Sequence, residues 1–269
     1  VFDINGIWMS VAVDLAYDDG IVTFEDVLRS GVSLNPRQAV QVACEVNGSD
    51  EYVDRDAIRD FLADLRFPLY FLDFETFQEA IPPYDDWWPY EQIPSQYSLH
   101  VLEEPGGELR HCEFLAPEGS DPRRAVAEHL CADIPVGACS VAFNIAFERT
   151  RIKELAGLFP DLAPHLEDIN AGMVDLIEPF KAGAYYRRAM GKSNSIKAVL
   201  PALFPGDPEL DYHSLEGVHN GGEAMNAYAN LTSLPKEERA IVREQLLRYC
   251  ELDTLAMVRI YERLAELIR

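Results

Sequence analysis

Pro68-Leu69-Tyr70-Phe71-Leu72-Asp73-Phe74-Glu75-Thr76-Phe77 sets two carboxylates into a run that otherwise reads as a buried strand. Successive strand side chains alternate between faces, so Asp73 and Glu75 point the same way. Ionised carboxylates at the edge of a core are costly unless something cationic meets them. Divalent metal ions are the cations that such paired acids most often meet.

Outward from this strand the pattern is α/β. A loop rich in proline and tryptophan follows (Pro82, Pro83, Trp87, Trp88, Pro89). Tyr97 to Leu102 and Leu109 to Leu115 read as strands of a hairpin joined through Pro105-Gly106-Gly107. Asp121-Pro122 opens a helix that runs through Leu130. Ala138 to Phe143 reads as a strand that passes through Asn144 into a helix from Ile145 to Leu158. A further helix is expected from Ser195 to just before Pro201. After Pro235 the chain is expected to be helical almost to its end, with a break near Arg248.

Residues 1–66 read as a separate, mostly helical preface. Thr23 with Asp26 resembles a capping box. Asn35-Pro36 opens a second amphipathic stretch, with Ala39, Val40 and Ala43 at helical spacing. Asp54 to Leu65 forms a third, with Ile58, Phe61, Leu62 and Leu65 in the same pattern. None of these carries a chemical signature, so the segment reads as a packing element or a contact for a protein partner.

The length of 269 residues suits one large domain, or one with a small appendage. No apolar run approaches the roughly 20 residues that span a bilayer, and no basic, apolar leader marks secretion. The expectation is a cytoplasmic protein with no membrane partner. The start at Val1 rather than Met suggests a fragment of a longer protein. Five scattered cysteines form no CxxC pair, which argues against a disulfide framework or zinc knuckle. The six histidines show no ligand spacing.

A formal charge of −23 disfavours long-range steering of a polyanion. The charge is uneven, however. No acid lies between Glu178 and Asp207, where Lys181, Arg187, Arg188, Lys192 and Lys197 fall among Tyr185, Tyr186, Ser193, Asn194 and Ser195. Such a stretch suits contact with phosphates and stacking on bases, and equally suits a solvated loop leading into a helix.

Two more segments sharpen the reading of Asp73 and Glu75. Asn144-Ile145-Ala146-Phe147-Glu148 places an acid at the start of a helix after a strand, and Tyr249-Cys250-Glu251-Leu252-Asp253 puts Tyr249 and Asp253 on one helical face. Together the three segments resemble the motifs of DnaQ-like, DEDD-type 3′–5′ exonucleases, whose fold is ribonuclease H-like. Asp73 and Glu75 match the D-x-E of the first motif, Asn144 to Glu148 the N-x-x-F-D of the second, and Tyr249 with Asp253 the Y-x-x-x-D of the third. The histidine subclass would place His at 248. Arg248 stands there, which points to the tyrosine subclass. The resemblance covers residues 67–269 and extends to an uncharacterised bacterial domain family.

The resemblance implies a mixed β-sheet flanked by helices over 67–269, behind the helical segment 1–66. It implies hydrolysis of single-stranded DNA or RNA, or short oligonucleotides, with two Mg²⁺ or Mn²⁺ ions held by Asp73, Glu75, Glu148 and Asp253. Tyr249 would orient the attacking water rather than act as a base, since its ordinary pKa is near 10. Glu148 departs from the Asp of the pattern and reaches one methylene further. Asp168 and Asp175 are the other acids open to that role. Phe74, Thr76 and Phe77 are placed to contact the terminal nucleotide, and Asn144 to cap its helix or touch substrate. Arg187, Arg188, Lys192 and Lys197 are the expected phosphate contacts. The competing reading is a catalytically weak module that keeps the fold and binds nucleic acid or a protein.

Overall fold

The computed structural model describes residues 2–6, 17–84 and 87–269. It divides into two compact units, each assembled from separated stretches of chain. The smaller takes Val1–Asp64, Ile177–Asp207 and Ile260–Arg269; the larger takes Leu65–Leu176 and Pro208–Arg259. The expected division at 66/67 therefore lies close to one crossing point, but two later stretches join the N-terminal segment.

That segment holds the three expected helices: α1 (Phe24–Ser30), α2 (Pro36–Asn47) and α3 (Arg55–Ala63). Thr23 accepts from the Asp26 N–H and Asp26 returns a bond to the Thr23 N–H, satisfying donors that a helix start leaves unpaired. Asn35 and Gln38 make the same exchange at α2, with Pro36 at the first helical position. Strand β1 (Glu51–Val53) was not foreseen.

The larger unit begins with β2 (Leu69–Phe77), followed by β3 (Ile93–Leu102) and β4 (Leu109–Leu115). Helix α4 (Arg123–Asp133), strand β5 (Cys139–Ala142), helices α5 (Ala146–Leu158) and α6 (Ala163–Ala171), and strand β6 (Met173–Asp175) complete its first stretch. The sheet order is β4-β3-β2-β5-β6. The β2–β3 and β3–β4 pairs are antiparallel, and the β2–β5 and β5–β6 pairs parallel. This is the α/β mixed sheet with flanking helices that the sequence led us to expect.

Alternation along β2 separates two environments. Tyr70, Leu72 and Phe74 pack with Tyr97, Leu99 and Val101 of β3 and with Val126, Leu130, Ile152, Leu155 and Leu166 from α4–α6. Phe71, Asp73 and Glu75 take the opposite face. Both acids are half-buried within a strand that is otherwise buried, and the register shifts just after Glu75.

Helix α7 (Glu178–Lys181), strand β7 (Tyr185–Arg187) and helix α8 (Ile196–Leu203) belong to the smaller unit, where β7 pairs antiparallel with β1. Helix α8 runs past Pro201 rather than stopping before it. A proline there forgoes one backbone bond in so short a helix.

The chain returns to the larger unit for α9 (Gly221–Asn230) and most of α10 (Lys236–Leu267). The expected break near Arg248 is absent: α10 continues through it. Leu246, Tyr249, Cys250, Asp253, Thr254 and Met257 are all buried, an unbroken stripe at helical spacing that holds the helix through this region. Gln96 of β3 donates to the Leu246 carbonyl (2.9 Å), fixing α10 against the sheet.

Candidate metal centre

Asp73 and Glu75 reach the face of the sheet covered by α10, and Asp253 projects from that helix. One carboxylate oxygen from each lies within 4.8 Å of the others. Glu148, in the first turn of α5, lines the same cleft of about 280 Å³, together with Phe74, Thr76, Gln92 and Tyr249. Every acid expected at the centre is thus brought to one place.

The electrostatics of the cleft are those of crowded anions. Burial, and then the charges of Asp253, Glu148 and Glu75, hold the Asp73 carboxyl well above the usual range, while Cys250 at 3.9 Å opposes this weakly. Burial likewise pushes Glu148 up to about 7, against its own backbone N–H and with Asp175 and Asp253 adding to the rise. Glu148 is 4% exposed, and its Oε2 has no hydrogen-bond partner among the described residues. A buried carboxylate oxygen left in this state costs free energy unless a proton or a cation meets it. The donor set is all oxygen, which suits a hard divalent ion such as Mg²⁺ or Mn²⁺.

Tyr249 is buried one turn before Asp253. Burial, then Asp253, Glu75 and Asp73, push its hydroxyl above the ordinary phenol range, so it is a proton donor at neutral pH. Tyr212 escaped the sequence reading altogether. It lies in a single turn ahead of α9 and donates its hydroxyl hydrogen to Asp253 Oδ1 (2.5 Å). Its ring stands 6.0 Å from that of Tyr249. No periodicity flags an isolated tyrosine in a turn. Gln92 is held by Arg151, which lies one turn beyond Glu148 and donates across 2.7 Å.

The other expected residues divide. Phe74 and Thr76 line the cleft, though Phe74 also packs edge-on against Tyr97. Phe77 is committed to an apolar cluster with Trp87 and Tyr228. Asn144 does not cap α5, whose N-cap Ile145 has no side-chain bond. Instead its backbone takes φ +71° and its N–H donates to Asp175 (2.8 Å). Asp168 accepts from the Gly137 N–H and lies outside the cleft lining. The cations belong to the smaller unit. There Arg187 lies 3.9 Å from Glu51, Arg188 pairs with Glu45 and Asp50, and Lys192 lies 3.6 Å from Asp3. Lys197 is exposed on α8.

A family described as a domain of unknown function (DUF2779) matches residues 70–195. The match contains Asp73, Glu75 and Glu148 and stops short of Tyr249 and Asp253. The chain is also similar to a Mycoplasma pneumoniae protein described as an uncharacterised MG366 homologue. The two are 27% identical over 207 residues, covering 71% of this chain and 31% of that protein. The chain therefore spans about a third of that relative's length. No solved structure matches.

Proposed function

We propose that the protein is a metal-dependent 3′–5′ exonuclease acting on single-stranded DNA or RNA. The observation that carries this reading is the convergence of Asp73, Glu75 and Asp253 within 4.8 Å, from a central strand and a helix far apart in sequence. Glu148 adds a buried fourth acid in the same cleft. Asp73, Glu75, Glu148 and Asp253 would hold two Mg²⁺ or Mn²⁺ ions, which supply charge neutralisation at the scissile phosphate and a nucleophile at neutral pH. Tyr249, protonated, orients water by donating a hydrogen bond. Phe74 and Thr76 offer an apolar wall and a hydroxyl to the terminal nucleotide.

The test uses 5′-labelled single strands of DNA and RNA with Mn²⁺. The expected result is laddering from the 3′ end that Asp73→Ala abolishes. Binding without degradation of either nucleic acid, in Mg²⁺ and in Mn²⁺, would sink the proposal. The same outcome would favour the second reading, a catalytically weak module that binds nucleic acid or a protein. The Tyr212 bond to Asp253 favours that alternative, because it engages an acid that the ions would need.

A further inference from the structure

A second cluster of ligand-bearing side chains lies in the larger unit, apart from the acidic cleft. His100 of β3 and His111 of β4 are direct partners across the antiparallel pair. Their rings stack with centroids 4.5 Å apart. Glu251 of α10 completes the group, with one ring nitrogen from each histidine and a carboxylate oxygen all within 4.8 Å.

The hydrogen bonds behind the rings fix where their protons sit. Thr254 donates its one hydroxyl hydrogen to the Glu251 carbonyl (3.1 Å). It must therefore accept from Ser98 (2.7 Å) and from His100 Nδ1 (2.8 Å). Ser98, having donated to Thr254, must accept from His111 Nε2 (2.9 Å). In its neutral form each ring thus carries its proton on the nitrogen facing a buried hydroxyl. That leaves a bare lone pair on His100 Nε2 and on His111 Nδ1.

The consequence is sharpest at His111 Nδ1, which stands 3.8 Å from Glu251 Oε1. In the neutral tautomer two acceptors face each other there across a gap too long for a hydrogen bond. Two ligands of one tetrahedral zinc ion sit about 3.3 Å apart, given bonds of about 2.0–2.1 Å, so a small closure suffices. Glu251 Oε2 is already oriented by Arg248 (2.9 Å), which leaves Oε1 for the gap. Glu113 lies within electrostatic range of both His111 and Glu251.

We infer that His100, His111 and Glu251 form a binding site for one divalent transition-metal ion of the zinc type, distinct from the acidic centre. Two imidazoles and one carboxylate are the donor set that such ions prefer over Mg²⁺. Ser98 and Thr254 act as positioning residues that hold both tautomers, as the outer partners of metal-bound histidines commonly do. The inference does not depend on nuclease activity, and its test needs no substrate.

The test removes the acidic centre with Asp73→Asn and Asp253→Asn together, then measures Zn²⁺ by equilibrium dialysis and Co²⁺ ligation by X-ray absorption. We expect one ion bound per chain, with imidazole scattering, in the parent and in the double variant. His111→Ala in that background should weaken binding at least tenfold. Ser98→Ala, which removes no ligand, should weaken it by roughly 10-fold. His111→Gln serves equally if the alanine variant unfolds by circular dichroism. No bound ion in the double variant, bound ion without imidazole scattering, or binding indifferent to His111 would each overturn the assignment.

Discussion

Tyr212 Oη donates to Asp253 Oδ1 across 2.5 Å, so an acid of the candidate centre is bonded by a group that no motif announces. Burial first, and then Asp253 itself, raise the Tyr212 hydroxyl above its ordinary range, so it is a donor at neutral pH. A hydrogen bond to a charged group contributes about 1.5–3 kcal/mol. Tyr212→Phe should therefore destabilise the metal-free chain, because Asp253 Oδ1 loses that donor. The same substitution frees Oδ1, so added Mn²⁺ should stabilise the variant more than the parent. Denaturant unfolding with and without Mn²⁺ measures both. Unchanged stability and an unchanged metal response would show that the bond carries no weight.

Asp73 tests the crowding directly. Its carboxyl is raised chiefly by burial, and the neighbouring Asp253, Glu148 and Glu75 charges follow. Asp73→Asn keeps the shape and replaces an acid whose ionised form is disfavoured there with a neutral amide. It should stabilise the metal-free chain at neutral pH, because a carboxyl whose pKa is raised on folding opposes folding there and the amide does not. The increase in unfolding midpoint on adding Mn²⁺ should disappear at the same time. Glu148→Gln should act in the same direction, since Oε2 has no partner among the described residues. A metal-free Asp73→Asn chain less stable than the parent would contradict the picture of repelling acids.

What was legible in the sequence follows from the range of the interactions involved. Asp73 and Glu75 could be read because strand alternation is local, and Tyr249 with Asp253 because the helical repeat is local. Asn144 to Glu148 could be read because a strand passes straight into a helix. The pairing of β1 with β7 joins residues 51–53 to 185–187, and no local pattern encodes that register. The division of the chain into units was hidden for the same reason. His100 and His111 lack any ligand spacing along the chain, yet β-sheet register sets them opposite each other. The basic stretch was read by composition alone, which could not foresee that Arg188 pairs with Glu45 and Asp50.

Alkaline pH should expose the core of the smaller unit. Tyr185 is pushed up to about 12 by burial and by its bond to Glu51 (2.7 Å). Tyr186 is also pushed up to about 12 by burial, with the Arg37 guanidinium 4.1 Å above its ring opposing the rise. Unfolded tyrosines lose their protons near pH 10. Between pH 10 and 12 the folded chain therefore binds more protons than the unfolded one, and its stability falls as pH rises. Below pH 10 these two groups contribute no slope. Unfolding free energy measured against pH should show this decline, and Tyr185→Phe should make it shallower. A slope that Tyr185→Phe leaves unchanged would assign the alkaline loss to other groups.

Gly172 offers a steric test of the sheet edge that carries Asp175. It caps α6 and leads into β6 with φ −77°, a conformation open to any residue. The constraint is space: a Cβ there would lie 2.4 Å from the carbonyl oxygen of Ala138, just before β5. Backbone cannot yield as a flexible side chain does, and β5 and β6 pair immediately beyond, Ser140 with Met173. Gly172→Ala should cost about 1–3 kcal/mol, the usual penalty for overpacking. Gly157→Ala is the matched control, an exposed position on α5 where a Cβ meets nothing within 4 Å. It should instead stabilise by about 0.5–1 kcal/mol, because alanine restricts the unfolded backbone and suits a helix. Thermal unfolding of the two variants side by side should give shifts of opposite sign. Equal shifts would mean that Gly172 is held by nothing more than its helix-capping turn.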